Sequence, residues 1–489
     1  MVSAKSSSLA GSLSAAEDEL DIVEIPDRTS SLGDVNDEVH HPPALTADEE
    51  KKLWRKVDVR IVPILTAMYL CSFLDRGNIG NAKLQGLTTQ LDLTGNKYNI
   101  ALMMYYIKRT DCMGYYDVND STLMGIVKTY PQLLGVRICL GIAEAGLYPG
   151  VVYYMTLWYP RHKLQFRVGL FNGGATAAGA FSGILAYGIS FMSGAGGLLG
   201  WSWIFIIEGL LTIVVSILAI FVIVDFPDTA SFLTPKERAY LVWRKKYDNS
   251  SVGEDEHFEM RHIKSALCDW QVWLQMLMFM TIVAPLVGIS LFLPSIINGF
   301  GYGTAISQLL TVPPYIVATI VLIAVSMWSD HVKLRSPFLF GGLTICLVGF
   351  AINISDAAIG VKYFGTFLCV TGSYTSMPGV VSWLGNNLAG QYKRGVGMAV
   401  QIGVGNLASL IVTNIYLSKD APRYVMGHAL ELMFIGIGLI NLCILVALYK
   451  WENAKRDKNQ RDMEEKGIEY SAEELRRLGD RAPEFRYTL

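Results

Sequence analysis

Charge is what this chain has least of. Only 17% of its 489 residues are Asp, Glu, Lys or Arg, against about 25% in a soluble globular protein. The net charge of −2 says nothing about nucleic acid, and no nucleic-acid partner is expected. Seven cysteines (Cys71, Cys112, Cys139, Cys268, Cys346, Cys369 and Cys443) are scattered without paired or metal-ligand spacing. That excludes a disulfide framework, and the cysteines read as small buried residues. All seven histidines (His40, His41, His162, His257, His262, His331 and His428) lie outside the interiors of the apolar runs, so no metal or acyl-transfer cluster forms there. A membrane-embedded enzyme is disfavoured on that ground. A channel is disfavoured because the sequence has no filter-like loop and no repeated ring of charge. The opening segment has no cleavable signal pattern.

What the chain does have is long apolar runs. Ten of them are long enough to cross a bilayer as helices: 57–74, 133–158, 168–192, 201–224, 272–293, 309–328, 338–354, 363–384, 396–417 and 430–449. This is the pattern of an all-α polytopic membrane protein. Residues 1–45, rich in Ser, Asp and Glu, read as a disordered acidic tail. Residues 46–224 form a first transmembrane half and 225–269 a polar central loop. Residues 270–450 form a second half, and 451–489 a C-terminal tail. Thr46-Ala47-Asp48-Glu49 is a capping box, and Thr234-Pro235-Lys236-Glu237 marks a second helix start with proline at its first position. Basic residues gather before the first run, at 161–167, through the central loop, at Lys333 and Arg335, at Lys393 and Arg394, and after Lys450. The alternate loops 193–200 and 298–305 contain no Lys or Arg. This alternation predicts cytoplasmic termini.

The chemistry concentrates where the first run ends, at Leu70-Cys71-Ser72-Phe73-Leu74-Asp75-Arg76-Gly77-Asn78-Ile79-Gly80-Asn81-Ala82. An ionised side chain at membrane depth costs about 2.5–3.5 kcal/mol on insertion scales, so such residues are read as functional unless paired for structure. Asp75 and Arg76 stand about 100° apart on a helix, close enough to line one cavity. The planar guanidinium of Arg76 can grip a carboxylate with two parallel hydrogen bonds. Asp75 is then a proton carrier or the counter-ion of Arg76. Farther on, Glu144 sits among small residues seven positions after Arg137, on the same helix face about 10 Å away. A carboxyl in an apolar cavity favours its neutral form, so Glu144 is either a proton site or a structural hydrogen-bonding group. Glu208 and Glu431 also lie in spans and read as structural. Glycines crowd 141–150, 169–183 and 395–405, which suits close helix packing. Asn172, Trp383, Asn386, Asn387, Gln401 and Asn406 either line a polar cavity or bond neighbouring helices.

One stretch does not fit. Between Tyr98 and Tyr130 a ten-residue apolar run, 98–107, is followed by the polar segment Lys108–Asp120 and a second short run, 122–127. Two spans need about 20 residues each. Two complete helices and a turn do not fit there.

These residues resemble a known family. Phe73-Leu74-Asp75-Arg76-Gly77-Asn78-Ile79-Gly80-Asn81-Ala82 followed by Gly86-Leu87 resembles the first-helix signature of the fungal allantoate permeases, in the anion:cation symporter branch of the major facilitator superfamily. Ala143-Glu144-Ala145-Gly146-Leu147-Tyr148-Pro149-Gly150 resembles that family's fourth helix, and 386–394 its tenth-to-eleventh loop. Ser329-Asp330-His331-Val332-Lys333-Leu334-Arg335 resembles the superfamily's cytoplasmic loop motif. The resemblance spans about Lys51 to Glu452 and implies a major facilitator fold of two six-helix halves. It also implies proton-coupled uptake of a small organic anion by alternating access, the anion being allantoate, a ureide, or a vitamin carboxylate such as nicotinate or pantothenate. In that scheme Arg76 binds the substrate carboxylate, with Asn172, Trp383, Asn387 and Gln401 around it. Asp75 and Glu144 are the protonation sites, and Arg137, Asp330 and Arg335 are structural or gating residues. The expected coupling ion is the proton, with no other cofactor and no metal. The expected setting is a monomer in the plasma membrane. The family's second and third helices should occupy the region that reads 108–120 here, and about 25 residues are missing from it. The competing expectation is a nutrient sensor, or an inactive truncated chain, that keeps the transporter fold.

Overall fold

The helices begin where side chains can satisfy their first amides. Thr46 accepts from the Glu49 amide at 3.3 Å while Glu49 accepts from the Thr46 amide at 2.9 Å, the reciprocal capping box expected there. Thr234 and Glu237 repeat it at 3.3 and 2.8 Å. The computed structural model describes residues 45–106, 120–144, 146–159, 161–223, 226–227, 229–248, 260–417, 420–421, 423–466, 470 and 478–489. The acidic segment 1–44, Cys112 and the polar stretch 107–119 lie outside the described residues.

In chain order the helices are α1 (Ala47–Ala82), α2 (Lys97–Tyr106), α3 (Asp120–Met124), α4 (Tyr130–Glu144), α5 (Leu147–Trp158), α6 (Arg161–Ser190) and α7 (Gly200–Val222). Two helices of the central loop follow, α8 (Pro235–Asp248) and α9 (Met260–Leu267). The second set comprises α10 (Trp270–Gly299), α11 (Thr304–Leu309), α12 (Val312–Val332), α13 (Ser336–Ile354), α14 (Ile359–Asn387), α15 (Gln391–Gly405), α16 (Leu407–Val412) and α17 (Val425–Lys466). No strand occurs among the described residues. Nine helical stretches are long and apolar enough to cross a membrane among those residues. The tenth expected span is α14, 29 residues long but less apolar. Its Thr366, Ser373, Thr375 and Ser376 hydroxyls bond carbonyls one turn back in the same helix. Small polar residues of this kind let it pack centrally, against α10, α12 and α13.

The described part of α2 is ten residues and that of α3 five, and the polar stretch on which the expected shortfall falls lies between them, outside the described residues. Elsewhere helices exceed the expected spans. α17 continues well past the apolar run to Lys466, and residues 478–489 fold back onto the bundle.

Within the first set α1 packs on α6 and α7, and within the second α14 packs on α10 and α13. The sets meet along α6 with α12 and α1 with α10. One end of the bundle collects the basic residues. There Arg167 makes two hydrogen bonds to Asp58 (2.8 and 2.7 Å) and Lys163 pairs with Glu50 (2.9 Å). At this basic end the Phe166 amide of α6 donates to Asp330 of α12 at 2.8 Å. At the opposite end Gln85 donates to Gln308 (3.0 Å), and Gln308 donates to the Asn81 carbonyl (3.4 Å). Both ends are therefore bridged between the two sets.

Candidate functional site

Spacing on α1 decides which side chains meet. Ser72 and Arg76 are four residues apart and share a face, whereas Asp75 is turned away by about 100°. The shared face looks at Glu144, the last residue of α4. Ser72 donates to Glu144 Oε2 at 2.9 Å and Arg76 Nη2 donates to the same oxygen at 3.3 Å. The Tyr105 hydroxyl of α2 is the third donor to that oxygen. Gly141 makes this possible, because a β-carbon there would collide with the Tyr105 carbonyl and push α2 away. Arg76 also lies over two rings, 5.2 Å from the Tyr105 centroid and 5.7 Å from that of Phe73, within the range of cation–π attraction. The Glu144 side chain is 2% exposed but that of Arg76 is 18% exposed. The Arg76 side chain is therefore the more accessible of the two.

Phe73 and Gly77, which flank Arg76 on α1, help line a cavity of about 20 Å³ with Asn81, Ser182, Ser290 and Tyr315. The void draws on both helix sets, and its volume holds one water, which needs roughly 10–15 Å³. A carboxylate ligand does not fit in it. Arg76 and Glu144 are not among the residues that line it.

Asp75 faces the other way and accepts from Thr212 of α7 at 3.1 Å. Thr212 also donates to the Glu208 carbonyl at 3.1 Å. Glu208 lies close by. It is buried nine residues into α7, within electrostatic reach of Asp75. Neither of its carboxyl oxygens has a hydrogen-bond partner among the described residues. Glu431 is likewise fully buried, against Gly288.

The remaining expected site residues divide clearly. Asn172 is buried, donates to its own helix at Val168 (2.9 Å) and meets the Tyr148 hydroxyl at 3.5 Å. Its neighbours Tyr69, Tyr148 and Phe171 form an aromatic cluster one turn from the Arg76 site. Arg137 is fully buried on α4, two turns before Glu144. Gln401 donates to the Gln275 and Val380 carbonyls at 3.4 and 3.3 Å, which makes it a tie between α15, α10 and α14. Trp383 and Asn387 are not directed at Arg76. Both bond Thr488 near the chain's end, Trp383 Nε1 to its carbonyl at 2.8 Å and Asn387 Nδ2 to the same oxygen at 3.1 Å. Asp330 and Arg335 form a 2.9 Å ion pair, and the second oxygen of Asp330 holds the α6 contact.

Sequence reasoning missed Ser72, Tyr105 and Thr212. Ser72 was legible as the residue one turn before Arg76. Tyr105 sat in the region set aside as defective. Asn78 and Asn81, part of the first-helix signature, serve the opposite end: Ser182 donates to Asn78 (2.8 Å) and Asn81 donates to Ser182 (2.7 Å).

Comparison with known proteins places this architecture. The high-affinity nicotinic acid transporter of Saccharomyces cerevisiae is 30% identical over 460 residues, covering 90% of this chain and 85% of that one. The MFS-type transporter efuF of Hormonema carpetanum is 32% identical over 430 residues, covering 83% and 86%. Among solved structures, a partially occluded inward-open form of the Escherichia coli xylose transporter XylE superimposes with a TM-score of 0.58. It is 14% identical and covers 81% of this chain and 97% of that one, a likeness of fold alone. The family model of the Major Facilitator Superfamily matches residues 121–413. With nine apolar helices among the described residues, two helix sets and relatives matched along most of their length, the chain belongs to the Major Facilitator Superfamily and is a multi-pass membrane transporter.

Proposed function

We propose that this transporter carries a small organic anion together with a proton, as a member of the allantoate permease branch. The observation that carries the reading is the part-buried 3.3 Å contact between Arg76 and Glu144. A substrate carboxylate and Glu144 compete for one guanidinium. When Glu144 takes up a proton it ceases to be a charged partner of Arg76, and the fork is released to grip the substrate with two charge-assisted hydrogen bonds. When the substrate leaves, Glu144 gives up its proton and recaptures Arg76. One side-chain exchange thus links proton and anion binding. The nicotinic acid transporter among the relatives supports a ring or ureide carboxylate as cargo. Asp75, joined to Thr212 and near Glu208, is the reserve proton carrier.

The deciding experiment measures radiolabelled nicotinate and allantoate uptake in vesicles holding this chain, with and without an imposed proton gradient. Accumulation of either anion that collapses with the gradient is the expected result. Gradient-independent uptake would refute proton coupling. The orientation we propose is a plasma-membrane monomer with both termini cytoplasmic, following the basic end. Terminal tags should then resist impermeant labels in intact cells.

One observation favours a second reading. Only 33 residues run from Tyr98 to Tyr130, too few for two full spans and a turn, so a chain that binds the anion without moving it, a sensor, is the alternative. Saturable nicotinate binding with no uptake would select it.

A further inference from the structure

Residues 478–489 form a seated segment against the basic end of the second helix set. Lys393 at the start of α15 donates to Asp480 at 2.6 Å and to Asp269, the N-cap of α10, at 2.7 Å. Gln271 on α10 reaches both acids at 3.1 Å. Arg456 on α17 donates to the Phe485 carbonyl (2.9 Å) and the Tyr487 hydroxyl (2.8 Å). Tyr487 stacks on Tyr449 with centroids 5.0 Å apart. Its backbone exchanges a pair of 2.9 Å hydrogen bonds with the Asn453 amide group. The Thr488 amide and hydroxyl both donate to Asn387 at the end of α14 (2.8 and 2.9 Å), which donates back at 3.1 Å. Finally the Arg335 amide, just before α13, donates to the Leu489 carbonyl at 2.6 Å.

These contacts continue through one residue into the other helix set. Arg335, whose backbone holds Leu489, pairs through its side chain with Asp330 (2.9 Å), and Asp330 accepts the Phe166 amide of α6 (2.8 Å). Arg335 is also fixed by the Ser329 carbonyl at 2.6 Å. Leu489, Arg335, Asp330 and Phe166 therefore form an unbroken relay from the end of the chain to the seam between the sets.

We propose that residues 478–489 are a clamp. Seated on α10, α14, α15 and α17, they brace Arg335 and keep the basic end of the transporter closed, and their release favours opening there. The proposal rests on the two-set fold and not on the cargo. Its test therefore uses no transport readout and stands or falls apart from the anion reading.

The test is hydrogen–deuterium exchange of the full chain in nanodiscs, read at three segments: 485–489, 330–336 and 163–170. In the parent chain the Tyr487, Thr488 and Arg335 amides should be protected. Thr488→Pro removes the amide and hydroxyl donors to Asn387 without touching the helix bundle. Asn387→Ala removes the same contacts from the other side and guards against an effect of the proline alone. Both should speed exchange in 485–489 at least tenfold and also raise it, by severalfold, in 330–336 and 163–170. Rapid exchange of 485–489 in the parent chain would show that the segment is not seated. Fast exchange of 485–489 in both variants, with 330–336 and 163–170 unchanged, would show that it is seated but clamps nothing. Either result overturns the proposal.

Discussion

The seam between the helix sets offers a sharp test, because at Gly80 it has no room for a methyl group. A β-carbon on Gly80 of α1 would lie 2.5 Å from the Leu291 carbonyl oxygen of α10 and 3.4 Å from its carbon. Ordinary contact begins near 3.4 Å, so Gly80→Ala must drive the two backbones apart by about 0.9 Å, and neither backbone can rotate away. Overpacking of this kind costs about 1–3 kcal/mol. The penalty falls only on the state in which the opposite end is closed. The gain in helix propensity from Gly to Ala, about 1 kcal/mol, is common to both states and drops out of their ratio. The closed population should fall by about 5- to 150-fold relative to the open one. The Gln85–Gln308 and Gln308–Asn81 bonds, one turn away, should loosen with it.

The assay is hydrogen exchange at 80–86 and 304–312, alongside ligand binding and net transport. Exchange should rise in both segments, binding should persist, and transport should fall at least fivefold. Gly77→Ala is the internal control: it lies three residues earlier on the same helix, and nothing stands within 4 Å of its added carbon. It should change the seam little. If Gly80→Ala and Gly77→Ala behave alike, the close approach of α1 and α10 does not control the closed state.

Three further outcomes are expected. Arg76→Lys keeps the charge but loses the planar fork, so anion affinity should fall by the worth of a charged hydrogen bond, about 1.5–3 kcal/mol; unchanged affinity would remove Arg76 from the binding site. Glu144→Gln should retain anion counterflow but lose gradient-driven accumulation, and robust accumulation by the variant would pass the proton role to Asp75. Burial pushes the Asp480 carboxyl above the ordinary aspartate range, opposed by Lys393 and reinforced by the neighbouring Asp269. The seated segment therefore holds a proton to higher pH than the free one. Its stabilisation is complete below the ordinary value and is lost as pH rises through the seated value, so protection of 485–489, corrected for intrinsic exchange, should weaken from pH 4 upward. Asp480→Asn should flatten that profile, and protection that instead strengthens with pH would contradict it.

Much of the fold was legible because the bilayer imposes a length and a composition on every span. The ion-bearing residues Arg76 and Glu144 were legible for the same reason, since charge among apolar neighbours calls for a partner. Choosing the partner was harder. Asn387 and Trp383 look like cavity-lining groups in a span, yet their partner Thr488 is 101 and 105 residues away along the chain. No local pattern encodes such a contact. The burial of Glu208 was less legible, because its depth is set by the packing of α7 against α1. Thr212 gave one hint, a hydroxyl one turn beyond a carboxyl.

α2 links the candidate site to the end opposite the basic one. It enters from the end opposite the basic one, where Asn99 donates to the Thr413 carbonyl at 2.8 Å, and its last turn delivers Tyr105 to Glu144 and Arg76. These contacts come from the ten residues of α2 alone, and they do not depend on the polar sequence 108–120 that follows. Binding and translocation should then be separable: Tyr105→Phe removes the third donor to Glu144 and should alter anion affinity, whereas changes within 108–120 should alter transport while leaving affinity in place. Equal loss of both from a change within 108–120 would refute the separation.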